Sequence, residues 1–118
     1  MGVMKAALRA VHSPDVEDLA SYAPGDEFGF LLEMMIGPRE EEGEEAFELV
    51  VCTPGWLART LEAHPVSGAG YLFVGRYDFA AIEAYLRTHV EMVEGATWKD
   101  VATKLSRFAR WEFEDYEN

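Results

Sequence analysis

Two runs of alternating residues, at 28–36 and 46–53, constrain the fold of this chain more than any other feature. Every second residue of each run is apolar, so an extended chain would present one apolar face and one mixed face. Gly37-Pro38 ends the first run, and a short polar loop separates it from the second. Two such runs joined by a short loop predict an antiparallel β-hairpin.

Strand and helix signals along the rest of the chain complete a mixed set of elements. Helix starts are marked by capping Ser, Thr or Asp and by proline in the first turn, and helix ends by glycine. The predicted elements are a strand at 3–12, a helical turn at 15–19, a helix opened by Thr53-Pro54 and closed by His64-Pro65, a strand at 71–74, a helix at 79–94 capped by Asp78 and stopped by Gly95, a last helix capped by Thr97, and an extended aromatic tail at 111–116.

The order βββαβαα predicts an α+β fold with an antiparallel sheet of about four strands. Its C-terminal helix hairpin is expected to pack on one face of the sheet, because both helices carry an apolar stripe. A chain of 118 residues without an internal linker is expected to form a single domain over 1–118.

The balance of charge limits the partners that this chain can have. It carries 22 acidic and 10 basic residues, for a formal net charge of −12. Such a charge repels a nucleic-acid backbone and an anionic membrane surface, so neither is expected as a partner. The same field attracts basic proteins. The N-terminus lacks the layout of a signal peptide, and a cytoplasmic location is expected.

The residue types that support catalysis or metal binding are scattered. His12, His64 and His89 lie in three different elements without ligand spacing, and Cys52 lies within an apolar run. Zinc needs three or four converging ligands, and a reactive cysteine needs a basic neighbour. We therefore expect no metal, no cofactor and no catalytic residue, and Cys52 is interpreted as a buried small hydrophobic residue.

Charged segments supply the candidate binding residues. The acidic run at 40–45 has two interpretations: a hairpin tip that keeps the domain soluble, or a surface that attracts a basic partner. The candidate residues are Glu40, Glu41, Glu42, Glu44 and Glu45, then Asp15, Glu17 and Asp18 of the first loop, and Glu114, Asp115 and Tyr116 of the tail.

Three stretches together resemble the immunity protein 8 family of bacterial polymorphic toxin systems. They are residues 28–38, the run from Phe47 to Leu57 that contains Trp56, and the closing Trp111-Glu112-Phe113-Glu114-Asp115-Tyr116. The resemblance covers nearly the whole chain, and the family has no catalytic motif to transfer. It implies a cytoplasmic antidote that binds and neutralises a cognate secreted toxin.

Two functional hypotheses follow. The first is an immunity protein whose acidic surface binds the toxin, and a nuclease with a basic substrate face would suit that surface. The second is a small enzyme or ligand-binding domain with a cleft between sheet and helices, lined by His12, His89 or Cys52. A homodimer formed through an edge strand is compatible with either hypothesis.

Overall fold

The structure, a computed structural model, describes residues 2–112 as a curled mixed sheet with helices against it. The described strands are β1 Met4–His12, β2 Gly29–Pro38, β3 Glu45–Cys52, β4 Tyr71–Phe73, β5 Glu94–Gly95 and β6 Arg110–Trp111. The helices are α1 Pro54–Ala63, α2 Phe79–Glu91 and α3 Trp98–Leu105. The sheet order is β4-β3-β2-β1-β5, and β6 pairs with the remaining length of the β3 edge.

The predicted hairpin is confirmed as the centre of the sheet. Strands β2 and β3 are antiparallel, and Leu32 lies opposite Leu49 while Met34 lies opposite Phe47. These four side chains are fully buried. Their alternation produces this arrangement because successive side chains of a strand point to opposite faces. Helices α2 and α3 cover this apolar face with residues such as Leu86 and Leu105.

The predicted strand number and order are wrong, although the α+β class is confirmed. Six strands are present in the described residues, in the order βββαβαβαβ, because β5 and β6 add two residues each. Strand β4 runs parallel to β3, not antiparallel. The reason is α1, which carries the chain back along the sheet so that β4 enters in the same direction as β3.

The helix boundaries also depart from the prediction at two places. Helix α2 ends at Glu91, and Gly95 lies in β5 instead of forming a left-handed cap. The chain leaves the helix early because Val93 accepts a backbone hydrogen bond from Ala6 and the next residues pair with β1. The two helices are therefore joined through a strand. The helical turn predicted at 15–19 is absent, and these residues form bends and a turn.

Helix α1 lies against the opposite face of the sheet from α2 and α3. Its cap is Thr53, whose buried hydroxyl accepts hydrogen bonds from the backbone N–H groups of Trp56 and Phe28. The Trp56 ring covers Gly29, where an added Cβ would lie 2.2 Å from the ring. Since Phe28 and Phe30 face the main core, the alternation of β2 turns Gly29 towards α1.

Candidate functional site

The acidic loop, defined as residues 39–44 between β2 and β3, is held against β1 by hydrogen bonds to its backbone. A bulge places Arg9 as an extra residue of β1 opposite β2. Its guanidinium donates hydrogen bonds to the backbone carbonyls of Pro38 and Glu41, the latter at 2.7 Å. A bulge commonly re-aims a side chain in this way. Arg9 thus fastens the loop by its backbone and leaves the loop carboxylates exposed.

Four of the predicted loop residues, Glu40, Glu41, Glu42 and Glu44, are exposed. The loop turns back closely at Gly37, where an added Cβ would lie 2.0 Å from the backbone oxygen of Gly43. Gly43 adopts a φ of 107°, in the region that favours glycine. The loop therefore concentrates four negative charges on a short, tightly folded segment.

Glu45 differs from the rest of the acidic run because it is the first residue of β3. It is half-buried, and one carboxylate oxygen accepts hydrogen bonds from the indole N–H groups of Trp98 at 3.1 Å and Trp111 at 2.7 Å. The ring of Trp111 stacks on Phe47. The carboxylate of Glu45 therefore ties α3 and β6 to the sheet, a role that the sequence analysis missed.

The first loop, residues 13–27, uses part of its acidic set for structure. Asp15 accepts a hydrogen bond at 2.9 Å from the backbone N–H of Leu31, where β2 extends past the end of β1. Asp18 accepts one at 3.1 Å from the N–H of Ala20. Glu17 is exposed between the buried anchors Val16 and Leu19. This loop exposes acidic groups, but Asp15 also ties the loop to β2 and Asp18 holds the backbone of the loop itself.

The structure does not bring the two acidic segments together. The acidic loop follows Pro38, which lies opposite Ala6 near the start of β1, whereas the first loop follows His12 at the other end of that strand. Six residues of strand separate these positions by about 20 Å. The third predicted segment, Glu114, Asp115 and Tyr116, lies outside the described residues.

An aromatic surface not predicted from the sequence lies on a different side of the molecule. Phe73 of β4 and Tyr85 of α2 are 52% and 54% exposed, and both line a groove of about 690 Å³. The ring of Tyr85 contacts His89, which contacts Phe108 at a centroid distance of 4.6 Å. The sequence signal for this surface is the alternation of β4. Leu72 packs on the core, so the neighbouring Phe73 must face outward.

The groups considered for catalysis do not converge. Cys52 is fully buried, which confirms its interpretation as a core residue, and burial raises the pKa of its thiol. His12 lies against Glu33 on β2, and His89 is exposed on α2. Within residues 2–112, no three His, Cys, Asp or Glu side chains are grouped so as to hold a metal ion. In that same part of the chain no helix has the length and apolar character needed to cross a membrane.

Comparison with known proteins identifies a family for nearly the whole chain. No curated protein and no solved structure matches it. A family model described as immunity protein 8 matches residues 6–116 of the 118. The matched region begins in β1 and includes the hairpin, the acidic loop, all three helices and Trp111. The chain therefore belongs to the immunity protein 8 family.

Proposed function

We propose that this protein acts in the cytoplasm as the antidote to a secreted bacterial toxin, which it neutralises by binding. The match to the immunity protein 8 family over residues 6–116 carries this proposal. A non-enzymatic inhibitor is also consistent with the main core, where the sheet face under α2 and α3 is filled by apolar side chains such as Leu32, Met34 and Leu86.

The charge of the protein supports a toxin with a basic surface, such as a nuclease. A net charge of −12 raises the rate at which a basic protein is encountered, by about 10 to 1,000-fold at low salt. A nuclease presents a basic face to its substrate, and an acidic inhibitor competes for that face. Known nuclease–immunity pairs reach dissociation constants of about 10⁻¹³ to 10⁻¹⁶ M, so a small inhibitor can be sufficient for tight binding.

The acidic loop is the first candidate for the contact that attracts the toxin. Glu40, Glu41, Glu42 and Glu44 are exposed, and Arg9 donates its hydrogen bonds to the backbone carbonyls of Pro38 and Glu41, not to the loop carboxylates. A loop whose backbone is already held loses little backbone freedom on binding. The exposed Glu17 and its neighbours are the second candidate, and the segment of Glu114, Asp115 and Tyr116 is the third.

Co-expression with the toxin domain encoded by the neighbouring gene tests the function. Wild-type protein should restore growth of the host, and the purified pair should form a stable complex. Failure of the wild-type protein both to restore growth and to bind the purified toxin domain contradicts the proposed function.

A pair of charge reversals tests the role of the acidic loop. Glu40→Lys with Glu42→Lys should lower the association rate constant about tenfold at low salt and flatten its salt dependence, with little change in dissociation. The matched control is Glu62→Lys with Glu83→Lys, which changes the net charge equally at solvent-accessible sites on α1 and α2, outside both the acidic loop and the first loop. Equal effects of the two pairs on the association rate constant would show that the loop acts only through the net charge of the protein and is not a specific contact.

A further inference from the structure

Strand β4 is an open edge of the sheet. Its backbone bonds β3 through the Gly70 carbonyl and the Val74 N–H, each at 2.9 Å. Because alternate residues of a parallel strand direct their backbone groups to opposite sides, Tyr71 and Phe73 direct theirs away from β3. Among the described strands none pairs with this side. An extended segment could therefore form backbone hydrogen bonds here, as in β-strand addition.

The side chains beside this edge have the composition of a binding surface. Phe73 stacks on Tyr71 at a centroid distance of 6.0 Å, and its other neighbour across the groove is Tyr85. The groove floor is apolar and includes Leu72 and Ile82. Exposed aromatic groups next to an apolar groove are typical of the residues that dominate binding energy. Acidic residues are depleted at the centres of interfaces, so the groove suits the centre better than the acidic loop does.

The end of the described chain runs away from this edge. Strand β6 pairs with Phe47 and Glu48, and the N–H of Glu112 bonds the carbonyl of Ala46. The chain thus proceeds along β3 in the direction opposite to β4, which pairs with the last residues of β3. A return to β4 would need a reversal of this course, so the C-terminal segment is a poor occupant of the groove.

A second copy of the chain is also a poor occupant. Both copies would carry a charge of −12, and their repulsion opposes association. The net charge of the whole protein instead favours a basic partner. The groove itself is close to neutral, because Arg76 and Asp78 both lie at its rim, so the segment that enters the groove can be apolar.

We propose that the open edge of β4 and the adjoining groove bind an extended segment of the toxin by β-strand addition. Alternate apolar side chains of that segment fill the groove between Phe73 and Tyr85, and basic residues flank it. The acidic loop and the first loop then guide the approach of the toxin, and the groove determines how long it stays bound. This inference rests on the proposed function, because it specifies where the toxin binds.

Alanine variants with a matched control test the side-chain part of the inference. Phe73→Ala and Tyr85→Ala should each raise the dissociation constant for the neighbouring-gene toxin domain at least tenfold, through faster dissociation. Leu61→Ala is the control, since Leu61 is 48% exposed on α1 and does not line the groove. Its dissociation constant should stay within about twofold of wild type. All three side chains are exposed, so the variants should keep their fold.

Amide hydrogen exchange followed by NMR tests the backbone part. The N–H groups of Tyr71 and Phe73 should exchange rapidly in the free protein and slowly in the complex. If wild-type protein binds the toxin while these amides stay unprotected and the groove variants match Leu61→Ala, this inference is overturned and the proposed function stands. If wild-type protein does not bind, both fail. Protection that appears at high protein concentration without toxin, together with a dimer in sedimentation, would identify a second copy as the occupant and overturn the inference.

Discussion

The carboxylate of Glu45 supports a prediction that separates a structural acid from its exposed neighbours. In Glu45→Ala the indole N–H groups of Trp98 and Trp111 both lose their acceptor. A hydrogen bond to a charged group contributes about 1.5–3 kcal/mol, and this site is only partly shielded from water. We therefore expect a loss of about 2–3 kcal/mol from a free energy of unfolding that is typically about 5–15 kcal/mol for a domain.

Two companion variants isolate the cause. Glu45→Gln keeps a carbonyl oxygen that can accept from both indoles, so its loss should be about 1 kcal/mol. Glu44→Ala removes the exposed acid immediately before Glu45 and should change the free energy of unfolding by less than about 0.5 kcal/mol. The difference in stability between Glu45→Ala and Glu45→Gln measures the contribution of the oxygen that accepts the indole hydrogen bonds. The difference between Glu45→Ala and Glu44→Ala corrects for the general effect of removing one negative charge.

Urea unfolding followed by tryptophan fluorescence is the assay. For an m-value of about 2 kcal/mol/M, the midpoint of Glu45→Ala should fall by about 1–1.5 M. Equal midpoints for Glu45→Ala and Glu44→Ala would refute the reasoning, because they would show that the two indole contacts contribute no net stability. If Glu45→Gln still neutralises the toxin at wild-type affinity, the charge of Glu45 is not needed at the interface.

Three further predictions concern the fold. Gly37→Ala should lower the free energy of unfolding by about 1–3 kcal/mol, because the new Cβ would overlap the backbone of Gly43. The control Gly68→Ala should keep wild-type stability, because no atom lies within 4 Å of its added Cβ. Equal urea midpoints for the two variants would contradict this prediction. Burial above all raises the pKa of the Tyr77 phenol in the folded protein. The neutral phenol therefore makes its full contribution to folding stability below a pH of about 10, and this contribution is lost as the pH rises through the pKa of the folded state. The stability difference between wild type and Tyr77→Phe should therefore shrink between pH 8 and pH 11. Cys52 should resist a thiol reagent until denaturant is added, and fast labelling of the folded protein would contradict its burial.

Local patterns predicted the elements whose geometry is encoded within a few residues. The hairpin of β2 and β3 follows from period-two alternation. The caps Thr53, Asp78 and Thr97 are confirmed, since each side chain accepts a backbone hydrogen bond from the residue three positions ahead. These interactions depend on short segments, so the sequence alone is enough to locate them.

The elements that were missed depend on partners far along the chain. Strands β5 and β6 have two residues each, too few for a periodic signal, and they exist because they pair with β1 and β3. The role of Glu45 depends on indoles 53 and 66 residues away. The direction of β4 and the exposure of Phe73 depend on which edge of the sheet that strand joins. No local pattern carries this information.

The position of β1 between β2 and β5 determines when a new molecule becomes useful. Its first residues cannot complete their pairing until Glu94 and Gly95 have been synthesised, and β3 waits still longer for Arg110 and Trp111. Contacts this distant in sequence slow folding. At about 5–20 residues per second, the ribosome needs roughly 6–24 s for 118 residues. The complete sheet therefore forms only after nearly the whole chain has been synthesised, so any surface that depends on the finished sheet is absent from a growing chain.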